Sequence, residues 1–276
     1  MDKEALKEKI FAAVRAVKEQ GPLVPSITNT VTVNFVANAQ LAAGGSAAMV
    51  YMPDEGEAMA AVGAAMYINM GTIFPIYRET LPRTARALAA NHKPWVLDPV
   101  GIGIGALRKE ILLDFQDVPP TIVRGNASEV IALANLWGLP TGQDHDGVRG
   151  VDSTDTVLAA RQAAENLASF IDGAVAVSGE TDLVTDGTTT VLSRGGSPLF
   201  ARVTGSGCSL GGVVAVYAAV TDPFTAALSA VQAYNFAGSR ADVRAHGPGS
   251  FEKMFLDGLY QASPADVASN PFRILT

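Results

Sequence analysis

The chain has 276 residues, 48% of them hydrophobic, which is enough to bury a large core within one domain. Its formal charge of −7 and its scattered Lys and Arg leave no basic stripe to neutralise a nucleic-acid backbone, although a few local donors suffice for a small anion. One cysteine, Cys208, excludes an intrachain disulfide and fits a reducing compartment.

The first predicted element is an amphipathic helix over 4–19, with Leu6, Ile10, Phe11, Val14 and Val17 on one face. Its mixture of charged and apolar residues from Met1 onward is not that of a signal peptide. An extended piece, Leu23–Ile27, follows, and Thr28 or Asn29 is placed to cap a helix through Leu41. Ala47–Tyr51 reads as a strand, Asp54–Ala65 as a helix, Met66–Met70 as a strand and Pro75–Asn91 as a helix. Next come strand Trp95–Asp98, helix Arg108–Phe115, strand Thr121–Arg124 and helix Ala127–Leu136. Gly138–Asp152, rich in Gly and Asp, reads as a surface loop. A helix over Thr154–Phe170 leads to strand Ala174–Ser178, and Asp186-Gly187 marks a hairpin between Leu183–Asp186 and Thr189–Ser193. Helices Cys208–Val220, Pro223–Ala241 and Phe251–Tyr260 close the predicted order. The apolar run near Leu210–Val220 is too short and too Gly-rich to span a bilayer. Strands alternating with helices predict an α/β fold, a mostly parallel central sheet with helices on both faces, as a single domain over 1–276.

In such a sheet, ligands bind beyond the carboxyl ends of the strands. Thr28-Asn29, Asn69, Asp98-Pro99, Arg124-Gly125-Asn126, Ser178-Gly179 and Thr204–Cys208 all fall at those ends. The glycines of Thr204-Gly205-Ser206-Gly207-Cys208 precede a helix whose first N–H groups have no intrahelical partner. The segment reads either as an anion cradle or as a tight strand-to-helix turn. At a helix N-terminus Cys208 is expected to have a thiol pKa below the free value of roughly 8.5 and to accept a proton; the alternative is a small buried apolar residue. Asp98 and Glu129 offer hard oxygen ligands for Mg²⁺, or else a turn cap and a favourable charge in a helix capped near Asn126. Arg124 is placed to pair with nucleotide phosphate or with a structural carboxylate. His92, His145 and His246 lack ligand spacing, Gly101–Gly105 spells G-x-G-x-G rather than a dinucleotide fingerprint, and no G-x-x-x-x-G-K-[ST] occurs.

Seven segments taken together are similar to those of the hydroxyethylthiazole kinase family, a branch of the ribokinase-like superfamily. They are Ile27–Thr32, Ile68–Thr72, Leu97–Gly101, Val123–Glu129, Gly150–Ser153, Val203–Cys208 and Gly247–Phe251, and they run in family order over roughly residues 20–262. The resemblance implies a ribokinase-like fold and Mg²⁺-dependent transfer of phosphate from ATP to 4-methyl-5-(2-hydroxyethyl)thiazole in thiamine salvage. It also implies a homotrimer with sites at subunit interfaces, while the single cysteine, the scattered charges and the short apolar runs predict a cytoplasmic protein that uses neither nucleic acid nor membrane. By the same resemblance, Met49, Asn29 and Gly205 touch the thiazole alcohol, with Met52 the alternative to Met49. Arg124, Asn126 and Ser178 contact ATP, and Asp98 and Glu129 lie near Mg²⁺. Cys208 takes the place of the aspartate base of other ribokinase-like proteins, beside the cradle of Gly205 and Gly207. Pro25-Ser26, where many members have His-Cys, is a departure. The competing readings are a kinase for a pyrimidine alcohol, an ATP-dependent hydrate dehydratase and a nucleotide-binding regulator without turnover.

Overall fold

Along a strand, side chains alternate between the two faces of the sheet. In the computed structural model, which describes residues 2–142 and 157–275, Met66 and Ile68 join one apolar core while Tyr67 joins the other. Trp95 and Leu97 separate from Val96 in the same way. Both faces are therefore covered, as a parallel sheet requires.

The elements run α1 (Lys3–Gln20), β1 (Leu23–Ile27), α2 (Val33–Ala43), β2 (Ser46–Met49), α3 (Pro53–Val62), β3 (Met66–Asn69) and α4 (Tyr77–Ala90). They continue with β4 (Trp95–Asp98), α5 (Ala106–Asp114), β5 (Ile122–Asn126), α6 (Ala127–Leu136), α7 (Arg161–Phe170), β6 (Ala174–Ser178), β7 (Asp182–Thr185) and β8 (Thr190–Ser193). A 3-10 turn, Pro198–Arg202, leads to α8 (Ser206–Ala218), α9 (Pro223–Asp242), α10 (Pro248–Gln261), α11 (Pro264–Ser269) and β9 (Phe272–Leu275). The strands form one sheet in the order β2-β1-β3-β4-β5-β6-β7-β8-β9. From β2 to β6 neighbours pair in parallel, and from β6 to β9 they pair antiparallel. Helices α1, α2 and α8–α11 supply the core on one face, α3–α7 the core on the other.

The expected α/β sheet is present, with local differences. Phe11 is 40% exposed and Ala13 takes its place in the buried stripe of α1. The helix after β1 is capped at Thr32, not at Thr28 or Asn29, because the chain makes a turn first, with Thr32 N–H donating to Asn29 C=O at 3.2 Å. The chain does not close on the helix near Tyr260: α11 and β9 follow, and β9 adds an edge strand against β8. Residues 143–152 of the predicted loop, the start of the predicted helix at Thr154, and Gly150–Ser153 lie outside the described residues.

Candidate functional site

Because the period of a strand is two, Tyr67, Asn69, Asp98, Arg124 and Ser178 share the sheet face that carries Val96, Ile122 and Ala176. The register brings them together: Asn69 lies beside Asp98, Leu97 beside Val123, and Asn126 beside Ser178. A chain of buried hydrogen bonds results. Asn29 Nδ2 donates to Asn69 Oδ1 at 3.0 Å and to Cys208 Sγ at 3.4 Å. Asp98 Oδ2 accepts from Tyr67 Oη at 2.8 Å, Asn69 Nδ2 at 3.1 Å and Arg124 Nη1 at 3.3 Å. Arg124 Nη2 donates to Ser178 Oγ at 2.8 Å. Asp98 Oδ1 and Arg124 Nε are buried without a hydrogen-bond partner among the described residues. A desolvated carboxylate oxygen with no donor is costly unless a ligand or solvent completes it.

The N-terminus of α8 sits on this array. Gly205, its N-cap, has φ +89°, a conformation that costs an L side chain but not glycine. Gly207 and Gly211, one turn apart, turn a bare strip of helix toward the sheet. A Cβ on Gly207 would lie 2.8 Å from Arg124 Nη1, and one on Gly211 2.4 Å from Tyr67 Cε2. The constraint at Gly207 is thus space rather than backbone angle. Beside this helix end opens a cavity of about 640 Å³, lined by Arg124, Ser178, Ser206, Gly207, Asp182 and Asn235 among others. It is of the size that takes a small ligand (roughly 300–1,000 Å³).

The remaining predicted residues lie around these. Met49 ends β2, half-buried and opposite Ser26, whereas Met52 is the 48% exposed N-cap of α3. Asn126 and Glu129 form a capping box: Asn126 Oδ1 accepts from Glu129 N–H and Glu129 Oε2 from Asn126 N–H, both at 2.9 Å. The capping reading of this pair is therefore realised, and it also aims the Glu129 carboxylate toward Asp98 and Arg124, which interact with it electrostatically.

Charge in the site follows from burial and neighbours. Burial first, and then the nearby Asp98, push the Glu129 carboxyl above the usual carboxylate range. Burial works against the Arg124 cation, but Asp98 and Glu129 outweigh it and hold its pKa above the ordinary guanidinium value. The expectation for Cys208 is overturned. Burial and the negative Asp98 push its thiol up to about 11, although Arg124 and the Asn29 donor pull the other way. The helix end is a local effect of fractional charges, and desolvation exceeds it here. Alkylation of Cys208 by iodoacetamide is accordingly expected to accelerate about tenfold per pH unit from pH 7 past pH 9. Levelling near the free-cysteine value of roughly 8.5 would show an ordinary thiol.

Sequence reasoning missed Tyr67, Asp182, Asn235 and Arg108. Asp182 Oδ1 accepts from Gly179 N–H at 3.0 Å and Oδ2 from Asn235 Nδ2 at 2.9 Å, fixing the turn after β6 that lines the cavity. A polar residue at the first position of a strand was the available signal for Asp182. A tyrosine inside a short buried strand reads as core, and only pairing reveals its hydroxyl.

The sheet and the helices on its two faces make a ribokinase-like α/β fold. A ribokinase-like superfamily protein of Enterococcus faecalis V583 superposes with a TM-score of 0.58 at 12% identity, over 94% of both chains. Residues 14–264 match the sequence profile of the Hydroxyethylthiazole kinase family, and the chain belongs to that family. It is 50% identical to the hydroxyethylthiazole kinase of Bifidobacterium longum (strain DJO10A), over 96% of this chain and 90% of that one. It also resembles the structure of the hydroxyethylthiazole kinase protein of Pyrococcus horikoshii OT3, with a TM-score of 0.87 and 31% identity over 98% of this chain and all of that one.

Proposed function

We propose that the chain transfers the γ-phosphoryl group of ATP to the primary hydroxyl of 4-methyl-5-(2-hydroxyethyl)thiazole, giving the thiazole phosphate and ADP in thiamine salvage. The observation that carries this reading is the position of Arg124: it lines the cavity, touches Ser178 and Asp98, and lies under Gly207 at the end of α8. Nucleotide phosphates bind at that end, on Arg124, Ser178 and the first N–H groups of α8. The alcohol lies on the other side of Asp98, against Asn29, Gly205 and Met49. Its oxygen bonds to the γ-phosphorus as the bond from that phosphorus to ADP breaks. In a loose transition state the hydroxyl proton leaves late, to the phosphate product or to water, because a thiol with a pKa of about 11 is protonated at neutral pH. Cys208 then acts by contact, beside Asn29.

Mg²⁺ fits the acidic end. No group of three or more His, Cys, Asp or Glu suited to a metal occurs among the described residues. Mg²⁺ needs only one or two carboxylates when nucleotide phosphates and water complete its shell, and Asp98 Oδ1 is buried with no hydrogen-bond partner among the described residues. Asp98 and Glu129 would hold it, and it would neutralise charge on the phosphates. The one cysteine suits the cytoplasm, and among the described residues no helix is long and apolar enough to cross a membrane. A homotrimer with shared sites fits the exposed apolar Val31, 72% exposed, next to Asn29, and the exposed Met52 near Met49.

The test is ADP release with the thiazole alcohol, with a pyrimidine alcohol and with neither, on enzyme whose mass is followed by light scattering. Release that depends on the thiazole alcohol, from particles of about three chains, is expected. Release with the pyrimidine alcohol alone, or equal release without any alcohol, overturns the substrate. A monomer with full activity overturns the shared site.

A further inference from the structure

The Gly101–Gly105 segment, which matched no nucleotide fingerprint, has its own anchor. Gly101, Gly103 and Gly105 all have positive φ, and Arg108, in the first turn of α5, lies against Gly101. A Cβ on Gly101 would stand 3.4 Å from Arg108 Cζ. Arg108 is buried, and no carboxylate among the described residues pairs with it. Its guanidinium is spent on three backbone carbonyls instead. Nε donates to Met70 C=O at 2.8 Å, Nη2 to Gly71 C=O at 2.6 Å and Nη1 to Ile104 C=O.

Those carbonyls belong to two different loops. Gly71 N–H donates to Asn69 Oδ1 at 2.9 Å, and Asn69 in turn bonds Asn29 and Asp98. The loop on the other side carries Gly101, whose backbone hydrogen-bonds the Glu129 carboxylate. We infer that Arg108 is a positioning residue for phosphoryl transfer: it ties the Asn69–Gly71 turn to the Gly101–Gly105 loop and so sets the spacing between the amide side and the acidic side of the site. The inference rests on the reaction proposed above. Arginine suits the task because its planar fork reaches carbonyls in several directions at once, whereas an ammonium is a single point. A buried cation held only by dipoles is a poor choice for stability, where an apolar side chain would pack as well. Its use here marks a demand for fixed geometry.

Arg108→Lys, Arg108→Met and Arg108→Ala test this, each checked for parent-like circular dichroism. Displacement of about 1 Å can cost on the order of a hundredfold in rate. All three variants are expected to lose about tenfold or more in kcat, with KM for ATP within about threefold of the parent. Hydrogen exchange at the amides of residues 70–71 and 101–105 should accelerate, while that of β5 and β6 should not. Millimolar guanidinium should restore part of kcat to Arg108→Ala, where it can occupy the vacated space, and none to Arg108→Met. A folded Arg108→Met with parental kcat overturns the proposal, as does a loss confined to KM for ATP. So does guanidinium that raises Tm without raising kcat. Should the parent enzyme prove inactive on the thiazole alcohol, the reaction fails, and exchange at the two loops still judges the clamp: unchanged protection in every variant overturns it.

Discussion

Gly207→Val is expected to lower kcat by about a hundredfold or more, the range seen when a preorganised anion donor is lost, while Cys208→Ala lowers it by about tenfold. The reason is the contact geometry. A Cβ at Gly207 would lie 2.8 Å from Arg124 Nη1, 2.9 Å from Nη2 and 3.2 Å from Cζ. A guanidinium at the surface would swing aside. That of Arg124 is buried and held by Asp98 and Ser178, so it moves only by breaking those bonds. The valine thus displaces the cation and crowds the N–H groups of α8 together. Cys208→Ala removes a protonated thiol and its weak bond from Asn29, and leaves the cradle in place. Steady-state kinetics on the two variants, with folding verified, compare them directly. A dead Cys208→Ala beside an active Gly207→Val would make the thiol the centre of catalysis.

Asp98→Ala is expected to destabilise the fold by about 3–5 kcal/mol, the cost of leaving one partner of a buried ion pair alone. Arg124 would keep its charge with Asp98 gone, and Tyr67 and Asn69 would each lose an acceptor. The double variant Asp98→Ala/Arg124→Met should recover part of that loss, because residues sharing one network are not additive. Urea unfolding of the two single variants and the double variant measures the coupling. A single Asp98→Ala within about 1 kcal/mol of the parent would mean that Arg124 finds another partner or solvent, and that the buried pair is not what holds the array together.

Local chemistry was legible wherever the signal was local. Ala127–Leu136 appears with the expected bounds because Asn126 and Glu129 satisfy each other's backbone across three residues. The polar residues Asn69, Asp98 and Ser178 at strand ends, and Arg124 two residues before the end of β5, were likewise marked by the apolar runs before them, and period-two alternation assigns each a face. What one strand cannot reveal is which neighbour it meets. That Asp98 lies between Asn69 and Arg124 is a matter of register between segments tens of residues apart. Strand β9 escaped notice for a related reason: four residues with little pattern become a strand only because the edge of β8 is free to pair with them.

The same division explains the thiol. From sequence alone Cys208 stands at a helix N-terminus, which favours the thiolate, whereas in the folded chain burial and Asp98, distant in sequence and adjacent in space, push it the other way. Arg108 is the extreme case. Its partners are backbone carbonyls, which every residue possesses, so no residue pattern could announce them. The sequence alone determined the α/β order and the residue types at the strand ends, because these depend on periodicity, caps and composition, and its seven motif segments carried the resemblance to the family. Only the tertiary structure decided the direction in which the thiol is shifted, the absence of a donor to Asp98 Oδ1 among the described residues and the carbonyl partners of Arg108, because desolvation and long-range contact exist only once the chain has closed around them.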